Sequence, residues 1–413
     1  MKNASSAALV QALNLIVPLV LMPVVARSTS LENVGTLIIC LAISGMSAVI
    51  VEYGFNLSAT YEIASNKKDL NTINKKICAV YSTKSTVGLL LMTMAVLVSI
   101  TNIDFGFEKH LFLMAVSSGV VQGFNAYFYF QGVENLSRHL FIELKVKLAY
   151  LLIFFALFLF LFDFLSIVFI FVVSLMLANV IRLILSFYCL SSFGLQFVRS
   201  DFFNLRIVKS EFKNGYPFFL SRLSVAVYNQ AAVLAVSAVG SANAAIYGVS
   251  EFVYKLIRNL ASPISQAVYP YMAAKEDIRV FYLVVAISGL PISFLCVVAY
   301  FFSTEIVVFL YGENFYAAGE VIKIFSIAAV IHFYSVMLGY PLFSQFDINT
   351  VSLVNHSVHI ACGVFVVGFL SIYLNHKITP VSIARLVLAS EIASLFSRFI
   401  IYIYVLRRQK YRD

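Results

Sequence analysis

Apolar runs of about 20 residues recur from one end of this chain to the other, each as long as a helix must be to cross the hydrocarbon core of a bilayer. They lie near residues 8–26, 34–54, 78–101, 111–131, 145–163 and 166–190, then near 217–239, 242–266, 279–302, 318–341, 350–373 and 381–405. Backbone groups left unpaired in lipid are too costly to tolerate, so every run is predicted to be helical. The expected fold is an all-α integral membrane protein of about twelve transmembrane helices. Composition agrees: 61% of the residues are hydrophobic and only 12% charged, which excludes an ordinary soluble domain. The start, Met1-Lys2 followed by an apolar run, has the layout of a signal peptide. Its run is long enough to span and a second follows within about ten residues, so it is expected to be retained.

The formal charge of +9 does not point to nucleic acid, because Lys and Arg occur in short clusters between apolar runs and not along one polar face. With the N-terminus inside, 18 of the 29 Lys and Arg fall in cytoplasmic segments or at their edges, 3 (Arg27, Lys109, Lys377) fall outside and 8 lie within spans. Lys67, Lys68, Lys75 and Lys76 lead the cytoplasmic set, with Arg138, Lys145, Lys147, Arg199, Arg206, Lys209, Lys213 and the terminal Arg407, Arg408, Lys410 and Arg412. That asymmetry predicts cytoplasmic termini and an even number of spans. An N-terminal lobe over residues 1–190, a cytoplasmic connection over 191–216, a C-terminal lobe over 217–405 and a basic tail over 406–413 follow. External loops of roughly a dozen residues leave no room for a catalytic domain, so no enzyme is expected. The five cysteines stand singly, without C-x-x-C or metal-ligand spacing, and His356 with His359 lacks further ligands; no metal site is expected.

Three echoes join the halves: Gly35 with Gly248, Gln131 with Gln345, and Leu175-Met176-Leu177-Ala178 with Leu386-Val387-Leu388-Ala389. Both halves start on the same side, so the repeat is expected to be parallel, about an axis along the membrane normal.

Ionisable groups inside spans are costly and are therefore functional candidates by default. Glu251, Lys255 and Arg258 follow at i, i+4 and i+7 of the eighth span and share one face, spaced either to form an internal Glu251–Lys255 pair or to line a cavity. Arg222, five residues past Pro217, is placed to line the cavity or to snorkel to the surface, and Arg27 ends the first span. Cationic lining suits a phosphate-bearing substrate. Glu52 and Glu391 are candidates for coupling to ions. Pro18, Pro23 and Pro263 each remove a backbone donor and are hinge candidates. Lys84, Arg182, Lys323, Arg385 and Arg398 complete the intramembrane set.

Several stretches, in order over more than 300 residues, resemble the bacterial O-antigen (polysaccharide repeat-unit) flippases of the Wzx type, within the multidrug/oligosaccharidyl-lipid/polysaccharide exporter superfamily. They are Pro23-Val24-Val25-Ala26-Arg27, Asn33-Val34-Gly35, Glu52-Tyr53-Gly54-Phe55-Asn56, Tyr129-Phe130-Gln131-Gly132, Gly215-Tyr216-Pro217-Phe218-Phe219, Ile264-Ser265-Gln266-Ala267-Val268-Tyr269-Pro270 and Leu310-Tyr311-Gly312. Where the family often reads A-E-K-I, Ser250-Glu251-Phe252-Val253 keeps only the glutamate. The resemblance implies two six-helix lobes around a central cavity. It also implies transport of undecaprenyl-diphosphate-linked oligosaccharide across the inner membrane by alternating access, with a proton or sodium gradient as the energy source. Polysaccharide polymerase and chain-length regulator are the partners it implies, with no cofactor. The rival readings are a drug or metabolite exporter of the same superfamily and, from a different class, a polysaccharide polymerase or ligase.

Overall fold

The computed structural model of the protein describes residues 2–67, 69–101, 107–162, 165–193, 205–275, 277–346 and 353–410. Lys68, Arg199 and Arg412 of the basic clusters lie outside them, as does much of the connection over 191–216. The described residues are mostly helical and contain no strand. In chain order the helices are α1 (Lys2–Ser28), α2 (Leu31–Glu52), α3 (Phe55–Ser65), α4 (Leu70–Ile100), α5 (Lys109–Gly123), α6 (Tyr127–Gly132), α7 (Leu136–Leu161) and α8 (Ile167–Ser192). The second half gives α9 (Leu205–Ala226), a π-turn (Val227–Ala231), α10 (Ala232–Ser237), α11 (Ser241–Asn259), α12 (Ala261–Lys275), α13 (Ile278–Phe301) and α14 (Ser303–Tyr311). It ends with α15 (Ala318–Met337), α16 (Tyr340–Phe343), α17 (Val354–Leu374) and α18 (Pro380–Lys410).

Nine helical stretches among the described residues are long and apolar enough to cross a membrane. Helices also stand at the first, seventh and eighth expected spans, which fall outside those nine. α11 has the plainest reason: Glu251, Lys255 and Arg258 interrupt its 19 residues. The order of elements repeats. A broken helix (α2–α3, α11–α12), a long helix (α4, α13), a second broken helix (α5–α6, α15–α16) and two closing helices (α7–α8, α17–α18) occur in each half. The same partners pack in both: α3 on α6 and α12 on α16, α4 on α5 and α13 on α15, α5 on α8 and α15 on α18, α7 on α8 and α17 on α18.

Capping chemistry repeats with it. Asp69 accepts from the Asn71 and Thr72 amides ahead of α4, and Asp277 accepts from Arg279 and Val280 ahead of α13. Each aspartate satisfies two of the amides a helix start leaves unpaired. Helix contacts rest on small residues, as membrane packing favours. A Cβ at Gly119 would lie 2.2 Å from the Ser44 carbonyl oxygen, and one at Gly123 would meet Val51 at 2.6 Å.

The chain forms two compact units. Unit 1 comprises Met1–Val17 and Thr36–Leu234; unit 2 comprises Pro18–Gly35 and Ala235–Asp413.

Candidate functional site

The break between α2 and α3 organises unit 1. Tyr53 (φ 49°) and Gly54 (φ 77°) turn the chain through left-handed backbone, which only glycine adopts without strain. A Cβ on Gly54 would sit 2.7 Å from the Phe218 carbonyl carbon. Tyr53 stacks on Phe219 at 4.4 Å between ring centroids and meets Phe212 edge-on at 4.9 Å. Gly132 closes on Ile63, and the Thr60 hydroxyl donates to the Phe128 carbonyl at 3.1 Å. Three of the sequence stretches that carry the family resemblance thus meet at one packed junction.

Beside this junction is a cavity of about 290 Å³. Its lining includes Asn14, Asn56, Gln122, Asn125, Tyr127, His139, Glu143 and Arg182. Arg182 grips Glu143 with two donors, Nε to Oε1 at 2.7 Å and Nη2 to Oε2 at 3.1 Å. Its Nη1 donates to Asn179 Oδ1, whose amide nitrogen in turn donates to the Ser118 hydroxyl at 3.0 Å. The cavity's acid is therefore neutralised by a fixed, planar partner. Asn56 Oδ1 and His139 Nδ1 are buried and have no hydrogen-bond partner among the described residues. Buried polar atoms are normally paired, so each is left with unmet hydrogen-bonding capacity.

Two further charges flank the cavity through its lining residues. Glu52 is buried; its Oε1 accepts the Asn56 amide at 2.7 Å, capping α3, and its Oε2 lies 3.6 Å from Arg222 Nε. The Arg222 side chain is 43% exposed. Lys84 is fully buried. Its ammonium donates to the Asn125 carbonyl at 3.1 Å and lies over the Phe128 ring at 5.0 Å and the Tyr81 ring at 5.7 Å. Nearer the start of α4, Lys76 bridges Glu62 and Glu211, tying α3, α4 and α9 together.

Unit 2 holds its charges differently. Glu391 is buried on α18; its Oε1 accepts the Tyr254 hydroxyl at 2.9 Å and faces His332 Nδ1 at 3.0 Å. The Arg258 guanidinium lies over the Tyr254 ring at 5.4 Å. Lys255 pairs with Glu251 at 2.8 Å, the contact its i, i+4 spacing allows. Arg398 donates to the Ser357 hydroxyl at 2.8 Å and to the Ser335 carbonyl. Arg27 donates to the Phe309 and Leu310 carbonyls at the end of α14, a C-cap that brings positive charge to a helix's negative end.

The structure therefore brings Glu52 and Arg222 together in unit 1, and Arg258 and Glu391 together through Tyr254 in unit 2. Pro18 and Pro23 lie inside α1. Pro263 falls in the first turn of α12, just after the break at Leu260; the eighth run, read as continuous to residue 266, is two helices. His356 and His359 are exposed on α17. Sequence reasoning missed Glu143, His139 and Asn56. All three precede the runs or fall between them when only apolar residues are counted, and the start of α7 nine residues before residue 145 brings two of them into a helix. Arg182 was an available signal, since a buried arginine requires a partner.

The family described as "Polysaccharide biosynthesis protein" matches residues 1–275. Two proteins named "Putative O-antigen transporter" are similar: one of Escherichia coli K12, 24% identical over 66% of this chain, and one of Shigella dysenteriae, 24% identical over 83%. The chain spans 65% of the first protein's length and 86% of the second's. Among solved structures, the lipid II flippase MurJ in an inward closed conformation superposes with a TM-score of 0.66 at 13% identity, covering 96% of this chain and 86% of that one. An inward-facing multidrug resistance MATE transporter gives 0.65 at 13% identity, covering 94% and 99%. A flippase and a drug transporter thus share this fold, so the fold alone does not choose between them.

Proposed function

We propose, for a chain that belongs to the polysaccharide biosynthesis protein family, that it is a flippase for undecaprenyl-diphosphate-linked oligosaccharide repeat units of O-antigen or a related surface polysaccharide. It carries them from the cytoplasmic to the periplasmic leaflet of the bacterial inner membrane by alternating access, with both termini cytoplasmic. The observation that carries this reading is the unit 1 cavity. Its one lining acid is committed to Arg182, and the rest of its polar lining is amide, phenol and imidazole. Such a lining suits a hydroxyl-rich glycan. A pocket for organic cations would instead keep an acid unpaired. The orphaned Asn56 Oδ1 and His139 Nδ1 are assigned to sugar hydroxyls.

The diphosphate needs cations, and Arg222, in the same unit as the cavity, is assigned to it, able to donate to phosphate oxygens. Glu391 is assigned to coupling, through its contacts with His332 and Tyr254. No catalytic step is invoked. Polymerase and chain-length regulator act on the delivered units.

The test is deletion with complementation. Loss of the gene leaves lipid-linked repeat units on the cytoplasmic leaflet and removes the surface glycan, and the gene restores it. Asn56→Ala and His139→Phe fail to restore it at normal membrane abundance. Surface glycan unchanged by deletion refutes the flippase reading, and full restoration by both variants refutes the cavity's part in it.

A further inference from the structure

A second groove, of about 240 Å³, opens on a different face of α7 and α8 from the one that bears Glu143 and Arg182. Arg138, Phe141, Lys145, Tyr188 and Ser192 are among the residues that line it, and none of its lining residues is acidic. Arg138 and Lys145 are both exposed and lie two helical turns apart, roughly 10 Å along one face. The Arg138 guanidinium lies over the Phe193 ring at 4.4 Å, which fixes its plane and leaves its in-plane donors available. Continuing along the same two helices, Leu148 and Ile184 are 53% and 61% exposed. On membrane-crossing helices such a surface faces acyl chains, and Tyr188, 76% exposed, is the residue type that settles at headgroup level.

We propose that this groove binds the phosphate headgroup of an anionic bilayer phospholipid. Arg138 and Lys145 hold the phosphate oxygens, and an acyl chain runs along Leu148 and Ile184. A neutral headgroup would leave two cations without counter-charge beside an apolar surface, whereas basic pockets between spanning helices suit anionic lipid. The site is separate from the cavity assigned to glycan, so it stands or falls independently of the transport reading.

The test is native mass spectrometry of the purified full-length protein, titrated with phosphatidylglycerol or phosphatidylcholine. Two cations at roughly fivefold each predict a preference for phosphatidylglycerol of about twenty-five-fold. Arg138→Gln with Lys145→Gln should reduce it to about threefold or less. Lys67→Gln with Lys75→Gln, which removes equal charge elsewhere, should leave it intact. Ser192→Trp fills the groove without touching either cation and should also lower binding, so the proposal stays testable if the double variant is poorly folded. An unchanged preference in both groove variants, or equal loss in the control pair, overturns the proposal. So does displacement of phosphatidylglycerol by equimolar undecaprenyl diphosphate, which would make the groove a substrate site.

Discussion

In each half of the chain an arginine on the closing helix reaches the helix before it, but the two arms end on different chemistry. Arg182 ends on the Glu143 carboxylate with two donors; Arg398 ends on the Ser357 hydroxyl and a carbonyl. The aspartate caps extend the contrast. Counted from Asp69 and Asp277, the buried Lys84 of α4 falls at the position of the buried Ile292 of α13. Unit 1 therefore carries fixed charges closed against fixed partners around a polar cavity. Unit 2 carries a carboxylate, Glu391, held by a phenol and an imidazole. A repeated scaffold thus holds its buried carboxylate with an arginine in one copy and with a phenol and an imidazole in the other.

The sharpest way to break that contrast is to neutralise the unit 2 carboxylate. Glu391→Gln should abolish transport driven by a proton gradient while leaving glycan-lipid binding in place; retained gradient-driven transport in vesicles would remove unit 2 from coupling. Next in size is Arg182→Ala, which strands Glu143 in a buried site and should cost about 3–5 kcal/mol of stability. Arg398→Ala loses bonds from a charged group to neutral partners and should cost about 1.5–3 kcal/mol. Thermal unfolding in detergent compares them, and the reverse order would show that the Arg182–Glu143 pair is not what holds unit 1.

Packing gives a smaller difference. Gly54→Ala meets the Phe218 backbone in left-handed conformation and should destabilise unit 1 by about 1–3 kcal/mol. Gly363 in α17 has nothing within 4 Å of a Cβ, so Gly363→Ala should stabilise unit 2 by about 0.5–1 kcal/mol. Smallest are the caps, where Asp69→Ala and Asp277→Ala should have similar, slight effects on unfolding. The Thr72 side chain and amide hold the Asp69 carboxyl below the usual carboxylate range. The cap is therefore fully present above the carboxyl's unfolded pKa and weakens as pH falls through its lower folded value, which an acid titration of unfolding would follow.

Element positions were legible because apolar length and period are local properties. Helices stand at all the expected runs, and the Glu251–Lys255 pair follows from spacing on one helix. Breaks were less legible. The one at Leu260 carries no proline or glycine at the break itself, so the run through Pro263 reads as continuous. Partnerships across the fold were not legible: Arg182 meets Glu143 from 39 residues away and Tyr254 meets Glu391 from 137, and no periodicity encodes which helices become neighbours. Glu143 was hidden further by its place at the polar start of α7. Glu52, read from sequence as a coupling candidate, also caps α3 through the Asn56 amide, a role that only the turn at Tyr53-Gly54 makes possible.

The Arg182–Glu143 pair also bears on how the chain enters the membrane. α7 and α8 are consecutive helices joined by residues 162–166, so both charges can leave the insertion machinery within one helical hairpin, already neutralised. Arg182, in the middle of α8, would alone oppose insertion by about 2.5–3.5 kcal/mol. Glu391 instead meets partners from outside its own hairpin: Tyr254 and His332 are made much earlier and must wait for α18 to arrive. Unit 1 can thus mature during synthesis, while the polar centre of unit 2 is completed only when the last helix is in place.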